Sequence, residues 1–237
     1  MKKNMNKKVR MMLSVAICMA FIATAFSGNA TSVNAKSNVL IEPTWQDRYN
    51  LVGLLMSDGT GGYDFDGAQG FTPFEAHTAI GPDDAVSADQ LSYFLESSIF
   101  ATGTAGLQTE PLPQVDWAVA SSGSLFYVVF DVTEPVKFTI IGQISARASS
   151  PTRYIESKAA VRFGSDGSSK YILDHYIEVN SGEKTTPFAI KGTLEPGTYY
   201  MSAWATGYFD LPGKSFSHET AAKSGYFIDL KVCSIEQ

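Results

Sequence analysis

Three aromatic rings recur at a spacing that suits stacking chemistry. In Tyr199–Tyr208 the even positions are Tyr200, Ser202, Trp204, Thr206 and Tyr208, and the odd ones are Tyr199, Met201, Ala203, Ala205 and Gly207. On an extended strand successive side chains point to opposite faces, and residues four apart stand about 13 Å from one another. If the odd face is core, Tyr200, Trp204 and Tyr208 form a row outside. Flat rings along a sheet can stack on sugar rings, whose CH-rich faces are apolar. If the even face turns inward, the same rings fill a core, as large aromatics usually do. These three residues are the candidate ligand-binding set, with extracellular polysaccharide or the cell envelope as the partner.

A second candidate is cation binding. Asp58-Gly59-Thr60-Gly61-Gly62-Tyr63-Asp64-Phe65-Asp66-Gly67 is dense in Gly and Asp and reads as loop and turn. Hard cations take several oxygens from a flexible loop, so Asp58, Asp64 and Asp66, with Asp83-Asp84 nearby in sequence, are candidates for a structural calcium site. The alternative is a set of solvated turn acids. The spacing is not that of an EF-hand, and the closing Glu is missing.

Other chemistry has less support. His77, His175 and His218 are too scattered for a zinc pair, and His218-Glu219-Thr220-Ala221-Ala222 lacks the second His of a metalloprotease helix. His175 lies on the apolar side of its strand, where a satisfied core role is expected. No nucleophile elbow, phosphate-binding loop or dinucleotide fingerprint occurs. A polysaccharide hydrolase needs only two carboxylates at the right separation. With 24 acids in the chain that requirement discriminates nothing.

The elements that must position these residues are strands. Lys137–Arg147 alternates, with Phe138, Ile140, Gly142, Ile144 and Ala146 on one side. Ser124–Val132 is apolar on both faces, as a central strand would be. Tyr171, Leu173, His175, Ile177 and Val179 share a side of another strand, and Tyr226, Ile228, Leu230 and Val232 give the last strand its inward face. Ser87–Gly106 alternates through Leu91, Tyr93, Leu95, Ser97 and Ile99 and is read as strand, although Ser87-Ala88-Asp89-Gln90 could cap a short helix. The spacers Ser121-Ser122-Gly123, Gly164-Ser165-Asp166-Gly167, Asn180-Ser181-Gly182 and Glu195-Pro196-Gly197 are turn chemistry. Eight to ten strands with short turns predict an all-β, antiparallel β-sandwich of jelly-roll type over 71–237, preceded by an irregular segment over 36–70.

The chain starts as an exported one does. Lys2, Lys3, Lys7, Lys8 and Arg10 precede an uncharged run from Met11 to about Phe26, and Val33-Asn34-Ala35 offers small residues for cleavage. Residues 1–35 are expected to be a signal peptide, with Gly28-Asn29-Ala30 as a second cleavage point. The apolar run is shorter than the roughly 20 residues of a spanning helix. Cys18 lies inside that run and follows Ile17, unlike a lipid-modified cysteine. Cleavage leaves 13 Lys and Arg against 24 acids, a formal charge of −11, and the single thiol of Cys233. No intrachain disulfide is then available, so the core must hold the fold. An acidic chain without a basic cluster argues against nucleic acid and anionic membranes as partners. The expected localisation is extracellular or periplasmic.

Residues 124–232 carry a longer pattern. An apolar strand ending in an acid (Phe126–Asp131) leads to an alternating strand (Lys137–Ala146). Then come Gly192-Thr193-Leu194-Glu195-Pro196-Gly197-Thr198-Tyr199-Tyr200 and a final alternating strand (Gly225–Val232). This resembles exported bacterial β-sandwich domains, both the pre-peptidase C-terminal type and the jelly-roll ectodomains of PEP-CTERM-type proteins. The resemblance implies an accessory or adhesive module without catalytic residues. A protease domain before it and an anchor helix after it, as those families carry, are not expected here. The reading that follows is a secreted, non-catalytic binding or structural module. The alternatives are a carboxylate-pair hydrolase and a self-associating matrix component.

Overall fold

The computed structural model describes residues 40–109, 117–149, 155–212 and 220–235. The readings on residues 1–35, His218 and Glu219 lie outside these. The described chain is built from twelve strands: β1 (Ile41–Met56), β2 (Gly61–Gly67), β3 (Phe74–Ile80), β4 (Val86–Leu95), β5 (Ser98–Thr109), β6 (Trp117–Val132), β7 (Val136–Ser149), β8 (Ile155–Ser165), β9 (Tyr171–Val179), β10 (Gly182–Leu194), β11 (Gly197–Pro212) and β12 (Thr220–Ser234). Among the described residues no helix is long and apolar enough to cross a membrane.

The strands form two six-stranded sheets, β2-β1-β6-β11-β8-β9 (sheet A) and β10-β7-β12-β5-β4-β3 (sheet B), with every pairing antiparallel. Strands β5 to β12 are divided between the sheets as β6-β11-β8-β9 and β5-β12-β7-β10, which is a jelly roll. The β1–β2 and β3–β4 hairpins each widen one sheet by two strands.

The alternation read from the sequence sets the faces. Phe138, Ile140, Ile144 and Ala146 of β7, Tyr226, Ile228 and Leu230 of β12, and Met201, Ala203, Ala205 and Phe209 of β11 are buried between the sheets. Rings gather at one end of the core, where Phe130 stacks near Phe163 and Tyr199 at 6.3 and 6.1 Å. Alanines line much of the remainder, so the sheets can approach closely there.

The first hairpin corrects the expectation of an irregular segment over 36–70. Strand β1 is a full partner of β6 from Ile41 to Met56. Two features hide it in the sequence. A bulge between Pro43 and Trp45 breaks the period, and the inward side carries Arg48 and Asn50, both buried. Asn50 donates to the carbonyls of Ala76 and Ala88 in sheet B, at 3.1 Å each. Arg48 spends all five N–H groups on neutral acceptors: Gln46 Oε1, Ser92 O and Oγ, and the carbonyls of Gly70 and Thr72. Its guanidinium also lies over the Phe94 ring, 4.7 Å from the centroid. Burial lowers its pKa to about 10.

Two smaller differences follow from turns. Ser87–Gly106 is a hairpin, with Leu91 on β4 and Ile99 on β5, so its apparent alternation spans two strands. Strand β9 bulges opposite Phe163 and Gly164, and Ile172 is skipped in the pairing. The bulge returns Tyr171 to the outer face, opposite Gly164, instead of sharing a side with Leu173. His175 does face inward and stacks on Phe188 at 5.3 Å.

Candidate functional site

The outer face of sheet A holds the aromatic row. Because Met201, Ala203, Ala205 and Phe209 are buried, the even residues of β11 must point away from the core. Tyr200 and Trp204 are half-buried on that face, and Tyr208 is 40% exposed. The structure thus brings all three candidates onto one strand face, in line.

Register decides how the rings lie. Tyr200 pairs with Gly164 on β8, which pairs with Tyr171 on β9. A methyl group placed on Gly164 would come within 3.4 Å of Tyr200 Cε1 and 3.5 Å of its hydroxyl. The Tyr200 ring therefore lies down across the bare glycine and reaches Tyr171, 6.4 Å between centroids. Burial and the neighbouring Tyr171 push the Tyr200 hydroxyl up to about 12. Trp204 repeats the arrangement one step along. It pairs with Ala160, which pairs with Tyr176. Ala160 is on the outer face yet fully buried, flanked in register by Trp204 and Tyr176, whose rings are 5.9 Å apart and tilted by 55°. Two rungs of aromatic–small–aromatic thus stand four residues apart, about 13 Å along the strands.

Polar groups fill the space between and beyond the rungs. Ser202, Arg162 and Asp174 form the row between them. Arg162 donates to Asp174 at 3.1 Å and sits over the Tyr171 ring at 5.6 Å. The next row has Thr206, Lys158 and Glu178. Lys158 pairs with Glu156 at 2.6 Å and Glu178 at 3.9 Å, and the Tyr176 hydroxyl donates to Glu178. The Glu156 hydrogen bond holds the Lys158 pKa above its usual range.

Across β11 the platform continues onto β6 and β1. Tyr127 is parallel to Tyr200 within 8° at 6.0 Å, and Trp45 meets Tyr127 edge-on at 5.2 Å. The far side is apolar: Trp45, Leu51 and Leu55 of β1 and Tyr63 and Phe65 of β2 are exposed, Tyr63 by 83%. Sequence reasoning missed Tyr171, Tyr176, Tyr127 and Trp45. Only the small residues Ala160 and Gly164, two strand periods apart, signal where rings can lie flat.

The aspartates are placed differently from the expected loop. Gly61–Gly67 is the edge strand β2, paired with Tyr49–Leu55, and only the residues around Asp58-Gly59 make the turn. Asp58 Oδ1 accepts from the Thr60 amide at 2.8 Å and hydroxyl at 2.6 Å, which lowers its pKa. Asp64 and Asp66 lie opposite Val52 and Asn50, on the inner side of an edge strand, where a charge discourages further strand pairing. Among the described residues no three His, Cys, Asp or Glu side chains converge to hold a metal ion. His77 is engaged instead with Asp89 at 2.6 Å on the outer face of sheet B.

No family model matches the chain, and no curated protein matches it. Solved structures similar to it include a carbohydrate-binding module titled "CBM4 structure and function", at 11% identity and TM-score 0.24, over 54% of this chain and 87% of that one. A bacteriophage CBA120 tailspike protein 4 enzymatically active domain matches at 11% identity and TM-score 0.25, over 63% of this chain and 19% of that one. A structure of infectious bursal disease virus, Gt strain, matches at 11% and 0.25, over 82% and 60%. The finer resemblance to pre-peptidase or PEP-CTERM-type domains has no family match behind it.

Proposed function

We propose that the protein is a secreted, non-catalytic binding module whose sheet A face takes extracellular polysaccharide. The observation that carries this is the pair of rings on one outer strand face, Tyr200 across Gly164 and Trp204 beside the buried Ala160. A ring lying on a sheet offers its free face to a sugar's CH-rich face. Ser202, Arg162, Asp174 and Thr206 beside it can exchange hydrogen bonds with sugar hydroxyls. Tyr208 extends the line to three rings, about 27 Å end to end, which suits a chain of sugars more than a single one. The basic-apolar-small order of residues 1–35 supports export.

The test is affinity electrophoresis of residues 36–237 through gels cast with a panel of polysaccharides. Retardation by at least one, lost in Trp204→Ala with folding intact, supports the module. No retardation in any gel removes it.

The exposed Trp45, Leu51, Leu55, Tyr63 and Phe65 favour a second reading, self-association through β1 and β2. Sedimentation velocity across a concentration series checks it. A single monomer species at every concentration would dismiss it.

A further inference from the structure

We infer that the polymer taken by this face is an uncharged glycan, not one bearing uronate or sulfate groups. The inference rests on the binding reading above and is drawn from the charges of the platform. Two cations stand among the outward residues of β11, β8 and β9, and neither is free. Arg162 is held by Asp174, and Lys158 lies between Glu156 and Glu178. An anionic sugar approaching either cation would meet the carboxylate that already neutralises it. It would also meet Asp47 on β1 and Asp210 on β11, which face outward by register.

The rings act in the same direction. The face of an aromatic ring is the negative side of its quadrupole, so a ring lying flat attracts C–H groups and repels anions. The two rings of a rung are not coplanar, at 81° for Tyr171 with Tyr200 and 55° for Tyr176 with Trp204, so each rung offers one such face. The carboxylates and tyrosine hydroxyls between them are good acceptors for neutral hydroxyl donors. A chain carrying −6 overall, and −11 without residues 1–35, adds no long-range attraction for a polyanion.

The experiment titrates the protein and its Trp204→Ala variant with neutral polymers (β-glucan, mannan, starch) and anionic ones (alginate, polygalacturonate, dextran sulfate). Each is measured at low and at high sodium chloride. Binding to a neutral polymer is expected, with an affinity that changes less than about twofold with salt, since no ion pair is screened. Asp174→Asn, which frees Arg162, is expected to gain retention on the anionic polymers. Binding to anionic polymers only, or an affinity falling more than about tenfold with salt, overturns the inference. If that anionic binding is lost in Trp204→Ala, the platform stands and only the charge preference fails. If binding to a neutral polymer survives Trp204→Ala, the polymer binds elsewhere, and the platform fails together with the inference drawn from its charges. Binding to no polymer at all overturns both.

Discussion

Replacing Trp204 with alanine separates a platform ring from a core ring, because the two cost different amounts. Trp204 stands on the outer face between Ala160 of β8 and Leu125 of β6, near the Tyr176 ring, and is half-buried. A large aromatic buries about 150–250 Å² when fully enclosed, so about two thirds of that at about 25 cal/mol per Å² gives about 2.5–4 kcal/mol, an upper value because the unfolded chain already buries part of this area. Phe209 on the same strand is fully buried on the opposite face, and its truncation is expected to cost about 3–5 kcal/mol. Binding should show the reverse order. A central aromatic anchor is worth about 2 kcal/mol or more, so Trp204→Ala should weaken polymer binding about thirtyfold. Phe209→Ala should leave binding unchanged wherever it remains folded. Urea denaturation of both variants gives the first pair of numbers, and calorimetric titration with a retained polymer gives the second. If Trp204→Ala loses as much stability as Phe209→Ala, the ring is structural and the geometry has been misread. If it keeps both stability and affinity, the ring is idle.

Gly164→Val puts a branched side chain under the Tyr200 ring and lifts it off the sheet. A Cβ here also comes within 3.3 Å of the Lys170 carbonyl, so crowding should cost about 1–3 kcal/mol against valine's better strand propensity, while titration should show about tenfold weaker polymer binding. Arg48→Ala leaves the Gly70 and Thr72 carbonyls and Ser92 without their donor, at about 1–3 kcal/mol each. A loss below about 2 kcal/mol in urea denaturation would mean that water replaces the guanidinium. The Tyr200 pKa is raised from 10.0 to about 12, and burial raises that of Tyr226 as well. The folded state then holds these protons more tightly than the unfolded state. Their stabilisation is complete below pH 10 and is lost as pH rises from 10 to 12. Arg48, lowered to about 10, acts oppositely over pH 10–12.5, by easing a cost. Circular dichroism followed through an alkaline titration should show unfolding that begins above pH 10 and is less steep in Tyr200→Phe. An identical profile for that variant would show that Tyr200 is not the linked group.

What could be read from the residues depended on whether polarity followed the strand period. Strands β7, β11 and β12 alternate cleanly, so their faces, including the outward row of Tyr200, Trp204 and Tyr208, were legible. Strand β1 was not, because its buried side carries Arg48 and Asn50. Apart from the Arg48 bond to Gln46, these satisfy their donors on groups from another layer or a distant connection, and no local pattern shows that such partners exist. Strand β2 was hidden by its glycines, which look like a loop but here pair with β1.

The site divides the same way, between one strand and several. A row on β11 is a one-strand property, and the period of two exposes it. A ring that lies flat is a three-strand property: Tyr200 needs Gly164 beneath it and Tyr171 beyond it, and those neighbours follow from the register of β8 and β9. That register includes the skipped residue Ile172. Without the bulge, Tyr171 would share the inward side of Leu173 and Ile177, as simple alternation requires, and the first rung would lose its far ring. The chemistry of this face is therefore set less by which aromatics the chain contains than by where β8 is small and where β9 slips by one residue.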